Sequence, residues 1–176
     1  MKHEIKNVKA GLTFVFFGLL FGLGLGILFG IYEDNFKEFI NLGIVANPEL
    51  HDENSSAKIW SYAKRAHLHG MGIAAASLGL ILLVMASSLK TTMKSLTAKL
   101  IGLVNLYPLA WFTMFLLAPS MGRDAAHSYI VTEAFTYIST AGILSGLAIL
   151  FMHIYFGAFH EDSEFEDNFR KQITEY

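Results

Sequence analysis

The sequence predicts an all-α fold, an integral membrane four-helix bundle with both termini in the cytoplasm. Three observations predict it. Hydrophobic residues fill 53% of the 176 positions and the mean hydropathy is +0.45, more apolar than an ordinary soluble domain. These residues gather into four runs, each near the roughly 20 residues a helix needs to cross about 30 Å of hydrocarbon. Once the four runs are set aside, only loops and short tails remain, too little for a soluble domain with its own core. The chain has no cysteine, which excludes disulfides, thiolate metal sites, haem c and iron–sulfur clusters. A formal charge of −2 suggests no nucleic-acid partner. The first run is too long for a signal peptide and lacks a small-residue cleavage pattern, so it is expected to stay as an anchor.

The first span reads from about residue 10 to 31. Gly18, Gly22, Gly26 and Gly30 recur every four residues there, with Gly24 added. That spacing puts them on one face, where another backbone or a flat ligand can come close. Residues 33–56 are polar; Phe36, Phe39 and Ile40 among charges predict a short amphipathic piece at the interface. Asn47-Pro48 breaks the chain, and Ser55 and Ser56 are N-cap candidates for the next helix.

The second span reads from about 66 to 89, preceded by Trp60, Lys64 and Arg65. Lys90, Lys94 and Lys99 mark a polar connection. The third span covers about 100–118 with a kink expected at Tyr107-Pro108, and a tight turn is expected at residues 119–122. The fourth covers about 129–157, within an apolar run from Ala125 to Phe159 that projects or tilts if it is one helix. The bundle thus occupies 1–160, and residues 161–176 read as an acidic amphipathic cytoplasmic tail. Eight basic residues fall on the side of the termini (Lys2, Lys6, Lys9, Lys90, Lys94, Lys99, Arg170, Lys171). Five fall on the other (Lys37, Lys58, Lys64, Arg65, Arg123). The excess places the termini inside, in a bacterial inner membrane crossed several times.

Seven histidines remain. His3, His51 and His160 read as solvated. His67, His69, His127 and His153 lie in or beside spans, where ionisable groups are costly and mark function. Spans two and four both enter from the outer face, so His67, His69 and His127 share one level. His67 and His69 point about 200° apart and cannot serve the same partner. Gly72, Ala76 and Gly79 lie below His69; Ala134, Ala141 and Ser145 lie below His127. Two imidazoles heading stripes of small residues would leave room for haem b, with Arg65 and Arg123 receiving its propionates. The alternative is that the histidines anchor helix ends while the arginines snorkel. Two roles fit Glu133, near Thr136, Tyr137 and Thr140: a site for proton or quinone chemistry with Tyr137, or hydrogen-bonded glue between helices. His153 reads as an inner-leaflet site or the cytoplasmic boundary.

The stretch Arg65-Ala-His-Leu-His-Gly-Met71, with a glycine-rich first span and a polar loop before it, resembles small four-span bacterial membrane proteins similar to a fragment of haem-copper oxidase subunit I. The resemblance spans about residues 10–157, and its specific part is the His-x-His stretch. It implies haem binding at His67 or His69. The chain lacks the length and the further histidines that oxygen reduction would need.

The expectation is therefore an electron-transfer protein holding haem b, with His69 and His127 as axial ligands and His67 as substitute. It would exchange electrons with quinone, as part of a larger membrane complex or a homo-oligomer. A non-catalytic scaffold, or a sensor or transporter with a metal at His67, His69, His127 and Glu133, are the alternatives.

Overall fold

The computed structural model describes residues 2–160, with side chains from Glu4 onward; His3 and the acidic tail at 161–176 lie outside the described residues. The chain is helical throughout this region. It forms α1 (Lys2–Ala46), a 3-10 turn (Pro48–Leu50), α2 (Ser55–Ala86), α3 (Thr91–Gly102), a second 3-10 turn (Leu103–Leu106), α4 (Tyr107–Met121), α5 (Arg123–His127) and α6 (Ile130–Phe156). Four segments are long and apolar enough to cross a membrane: Glu4–Ala46, Ser55–Ala86, Thr91–Met121 and Ile130–Phe156. Four such segments bring the chain back to the end of the bundle at which it began. Contacts of Glu4 with Lys94, and of Ser88 with His153, gather the helix ends at this N-terminal end of the bundle.

The packing has an order. α1 lies along α2 and α3, α2 also lies on α4, and α6 lies on α3, α4 and the 3-10 turn between them. The third span is therefore the middle layer, with α1 and α2 on one side and α6 on the other. The polarity is that of a protein solvated by lipid. Ser77, Thr97, Asn105, Thr132 and Ser139 are buried, while Leu20, Leu144 and Phe151 are more than half exposed. At the centre the Asn105 amide donates to Ser77 Oγ and to Gly102 O, both at 3.0 Å. Lipid offers these groups no partner, so they must find one inside.

The glycine stripe is what lets α1 approach α2. A Cβ built on Gly22 would stand 2.8 Å from the Met71 amide nitrogen, and one on Gly70 would stand 2.8 Å from Gly22 Cα. Only glycine fits there. The stripe thus packs helices at Gly18, Gly22 and Gly26, whereas Gly24 and Gly30 face open space.

Several boundaries differ from the sequence reading, each for a local reason. The first helix does not stop at Ile31. It bends at Tyr32 (φ −123°, ψ 28°) and continues to Ala46, because Phe36 and Phe39 find Phe115 and Trp60 and Ile40 is fully buried. The expected interfacial piece is this continuation. The second helix begins at Ser55, at the serines expected to start it, so that eleven helical residues precede the expected span. The lysine connection at 90–99 is largely helix, and Lys94 is not solvated: it is 6% exposed and ion-paired to Glu4 at 2.8 Å. The expected kink appears as the 3-10 turn just before Pro108, which sits in the first turn of α4, where a missing N–H costs least. Helix α4 runs through Pro119 and ends at Gly122, whose φ of +81° suits glycine. The long final run is broken at Ser128–Tyr129, so it is two helices.

Candidate functional site

The end of the bundle opposite the termini is tied by polar clasps. Asp52 holds the loop before α2 to the chain after α4. Its carboxylate accepts from Ser55 Oγ at 2.9 Å, the Asn54 amide at 3.0 Å and Arg123 Nη2 at 3.0 Å, with Lys58 Nζ 3.7 Å away. The Ser55 hydroxyl, helped by Lys58 and Arg123, holds the Asp52 carboxyl below its ordinary value. His51 donates from Nε2 to Pro119 O at 3.0 Å; it is part of the clasp and not merely solvated. Arg123 is thereby committed to Asp52.

The two histidines of α2 sit twelve and fourteen residues into the helix, about 18–21 Å from its start, not at its head. They point to different neighbours, as their spacing requires. The His67 ring lies across Gly26, where a Cβ would come within 2.6 Å of His67 Cε1. Its Nδ1 is 2.8 Å from Gly22 O. A carbonyl can only accept, so Nδ1 carries a proton, and in the neutral imidazole Nε2 keeps its lone pair. Nε2 makes no hydrogen bond among the described residues. Phe29 stands edge-on to the ring at 6.3 Å and Trp60 packs on Phe29 at 5.2 Å. These residues, with Gly30, Glu33 and Lys64, line an open cleft of 390 Å³ between α1 and α2. Glu33 is paired with Lys37 at 2.7 Å, and Lys64 stands at the rim as a cation with no ion pair among the described residues.

His69 faces the other way. Its Nδ1 bonds Arg65 O at 2.8 Å, and its ring packs against Tyr107 and Trp111 of α4 at 5.5 and 6.0 Å. The Arg65 guanidinium lies 4.7 Å over the Trp111 ring, a cation–π contact. His127 is exposed on α5, which packs on α4 and α6. His69 and His127 thus both border α4, and no hydrogen bond or ring contact joins them among the described residues. The stripe below His127 is interrupted by the helix break. Arg65 is stacked on Trp111 and Arg123 is bound to Asp52, so neither is free for a propionate.

Glu133 is partly buried in the first turn of α6, where the helix dipole favours an anion. It hydrogen-bonds neither threonine, since Thr136 Oγ1 turns back to Thr132 O at 2.9 Å. Tyr137 is 65% exposed on the outer surface. Among the described residues no three of the His, Cys, Asp and Glu side chains are grouped so as to hold a metal ion, so His67, His69, His127 and Glu133 do not form one site.

Sequence reasoning missed three arrangements. Lys94 shares a helix face with Thr97, Ala98 and Ile101, a spacing that signals burial. The Asp52–Ser55 pair has the spacing of a helix cap. Trp60, Lys64 and His67 at i, i+4 and i+7 give a single face of α2, which is the wall of the cleft. Searched against family models, curated proteins and solved structures, the chain matches none of them.

Proposed function

We propose that this is a multi-pass protein of the inner membrane that serves electron transfer by binding a quinol-type ring in the His67 cleft, with its N-terminal end in the cytoplasm. One observation carries the reading. His67 has its Nδ1 proton fixed on Gly22 O, which leaves Nε2 of the neutral ring as a hydrogen-bond acceptor at a cleft walled by Phe29 and Trp60 and rimmed by Glu33 and Lys64. A hydroquinone is the complementary shape: a flat apolar ring whose hydroxyl donates. Phe29 and Trp60 supply aromatic faces and edges for the ring, Nε2 accepts one hydroxyl at about 2.8 Å, and Lys64 supplies a cation at the rim. The excess of basic residues near the N-terminal end supports the orientation.

Tryptophan fluorescence tests the reading. Trp60 and Trp111 are the two tryptophans, so Trp111→Phe leaves Trp60 as the reporter inside the cleft. A short-chain quinol titrated into this variant in nanodiscs is expected to quench Trp60 saturably. His67→Phe, which keeps a ring but removes both nitrogens, is expected to weaken binding about tenfold, the worth of about 1.4 kcal/mol. Quenching that never saturates, or that ignores His67→Phe, overturns the proposal. An optical spectrum of the same sample distinguishes the other redox ring: a reducible Soret band lost in His67→Phe assigns the cleft to a b-type haem instead.

A further inference from the structure

On the quinol reading of the His67 cleft, we infer that Glu33 accepts the second hydroxyl of the ring, so that the cleft selects a para-hydroquinone over its oxidised quinone and over a ring with one hydroxyl. The cleft has two polar ends, one from each helix. α1 and α2 run antiparallel along their seam, with Gly22 against Gly70 and Met71, and Gly26 against His67. Continuing that register by seven residues on each helix brings Glu33 to the level of Trp60, and both line the same 390 Å³ cleft as His67. From His67 to Trp60 the unbroken α2 rises about 10 Å. A ring with hydroxyls on opposite carbons and a hydrogen bond of about 2.8 Å at each end spans a similar length. Gly30 lies between the two ends and also lines the cleft. A Cβ there would meet nothing within 4 Å, so the floor is open, and Phe29 and Trp60 wall it.

Both ends accept. At the inner end Nε2 of the neutral His67 ring has a lone pair and no proton, because Nδ1 holds the proton against Gly22 O. At the rim the half-exposed Glu33 carboxylate gives Oε1 to Lys37 Nζ at 2.7 Å. Its other oxygen has no hydrogen-bond partner among the described residues, and a carboxylate can only accept. Two acceptors at opposite ends of one cleft match a ligand that donates at both ends. The oxidised quinone has a carbonyl at each end, which also only accepts. One of its oxygens faces the Nε2 lone pair, and the other finds only the Lys64 ammonium at the rim. A ring with a single hydroxyl satisfies one end and leaves the other without its bond. A site built to take a hydroxyl discriminates against the analogue that lacks it, because its own polar group is then left unpaired.

Three probes titrated into the Trp111→Phe protein in nanodiscs, with Trp60 as the reporter, separate the two ends. They are a short-chain para-benzoquinol kept reduced, its oxidised quinone, and its monomethyl ether. The quinol is expected to bind at least about tenfold more tightly than either of the others. Glu33→Leu is expected to weaken the quinol about tenfold and bring it level with the ether. Glu33→Gln, whose amide oxygen still accepts, should lose less. Quinone that binds as tightly as quinol overturns the second acceptor and leaves the His67 reading in place. So does a quinol affinity that Glu33→Leu leaves unchanged while His67→Phe still weakens it. Quenching that saturates with none of the three probes overturns both.

Discussion

The middle of the bundle and its N-terminal end each fix an imidazole against a backbone carbonyl, with different results. Near the middle His67 gives its Nδ1 proton to Gly22 O and leaves Nε2 without a partner among the described residues beside an open cleft. At the N-terminal end His153 gives its Nδ1 proton to Ala158 O, but its Nε2 is engaged by Ser88. The first ring belongs to a straight glycine seam between two long helices. The second belongs to a place where the chain turns back on itself. The lesson is that a carbonyl sets which nitrogen is available, and the element on the far side decides whether that nitrogen meets a ligand or the protein itself.

The strongest way to break the comparison is at the seam beneath His67. Gly22→Leu forces a side chain into the Met71 backbone; overpacking of this kind costs about 1–3 kcal/mol or more. Thermal unfolding in detergent should show the largest loss of any substitution named here. Glu4→Gln comes next. It leaves the Lys94 ammonium, whose side chain is 7% exposed, with the Met85 carbonyl at 3.4 Å as its hydrogen-bond partner among the described residues. A loss of about 2 kcal/mol in denaturant unfolding is expected for the broken charged hydrogen bond, and Lys94→Met added to it should restore at least half.

A finer test separates packing from binding. Gly26→Ala places a methyl against the far end of the His67 side chain, not against backbone, so the ring can shift and stability should fall by about 1 kcal/mol at most. Quinol binding should nevertheless weaken about tenfold in the Trp60 titration, since Nε2 no longer meets the cleft. The smallest effect is expected at the Asp52 clasp. A carboxyl whose pKa is lowered on folding stabilises the protein above its unfolded value and loses that contribution as the pH falls through the folded value. Acidification below about pH 4 should loosen the loop before α2, seen as lower amide protection factors at Asn54 and Ser55. Asp52→Asn should remove most of that pH dependence.

The four crossings were legible in the sequence because length and hydropathy alone determine them. The continuation of α1 past Ile31 was not, since Phe36 and Phe39 find ring contacts with Phe115 and Trp60, which lie far away in the chain. Within the candidate site, the opposed directions of His67 and His69 followed from helical spacing. Their partners did not: spacing gives an angle, whereas Gly26 and Trp111 are supplied by other helices. The expected meeting of His69 with His127 assumed that second and fourth spans are neighbours. The order of layers is a property of side-chain fit across the whole bundle, and the break at Ser128–Tyr129 separated His127 from α6 as well.

Nitrogen NMR of His67 tests the proposed ligand site most directly. In protein labelled with 15N-histidine and held in nanodiscs, the signals absent from His67→Phe identify this ring. A proton on Nδ1, an unprotonated Nε2, and a shift of the Nε2 signal alone on adding quinol are the expected result. A proton resident on Nε2, or an Nε2 signal unmoved at saturating quinol, would contradict it.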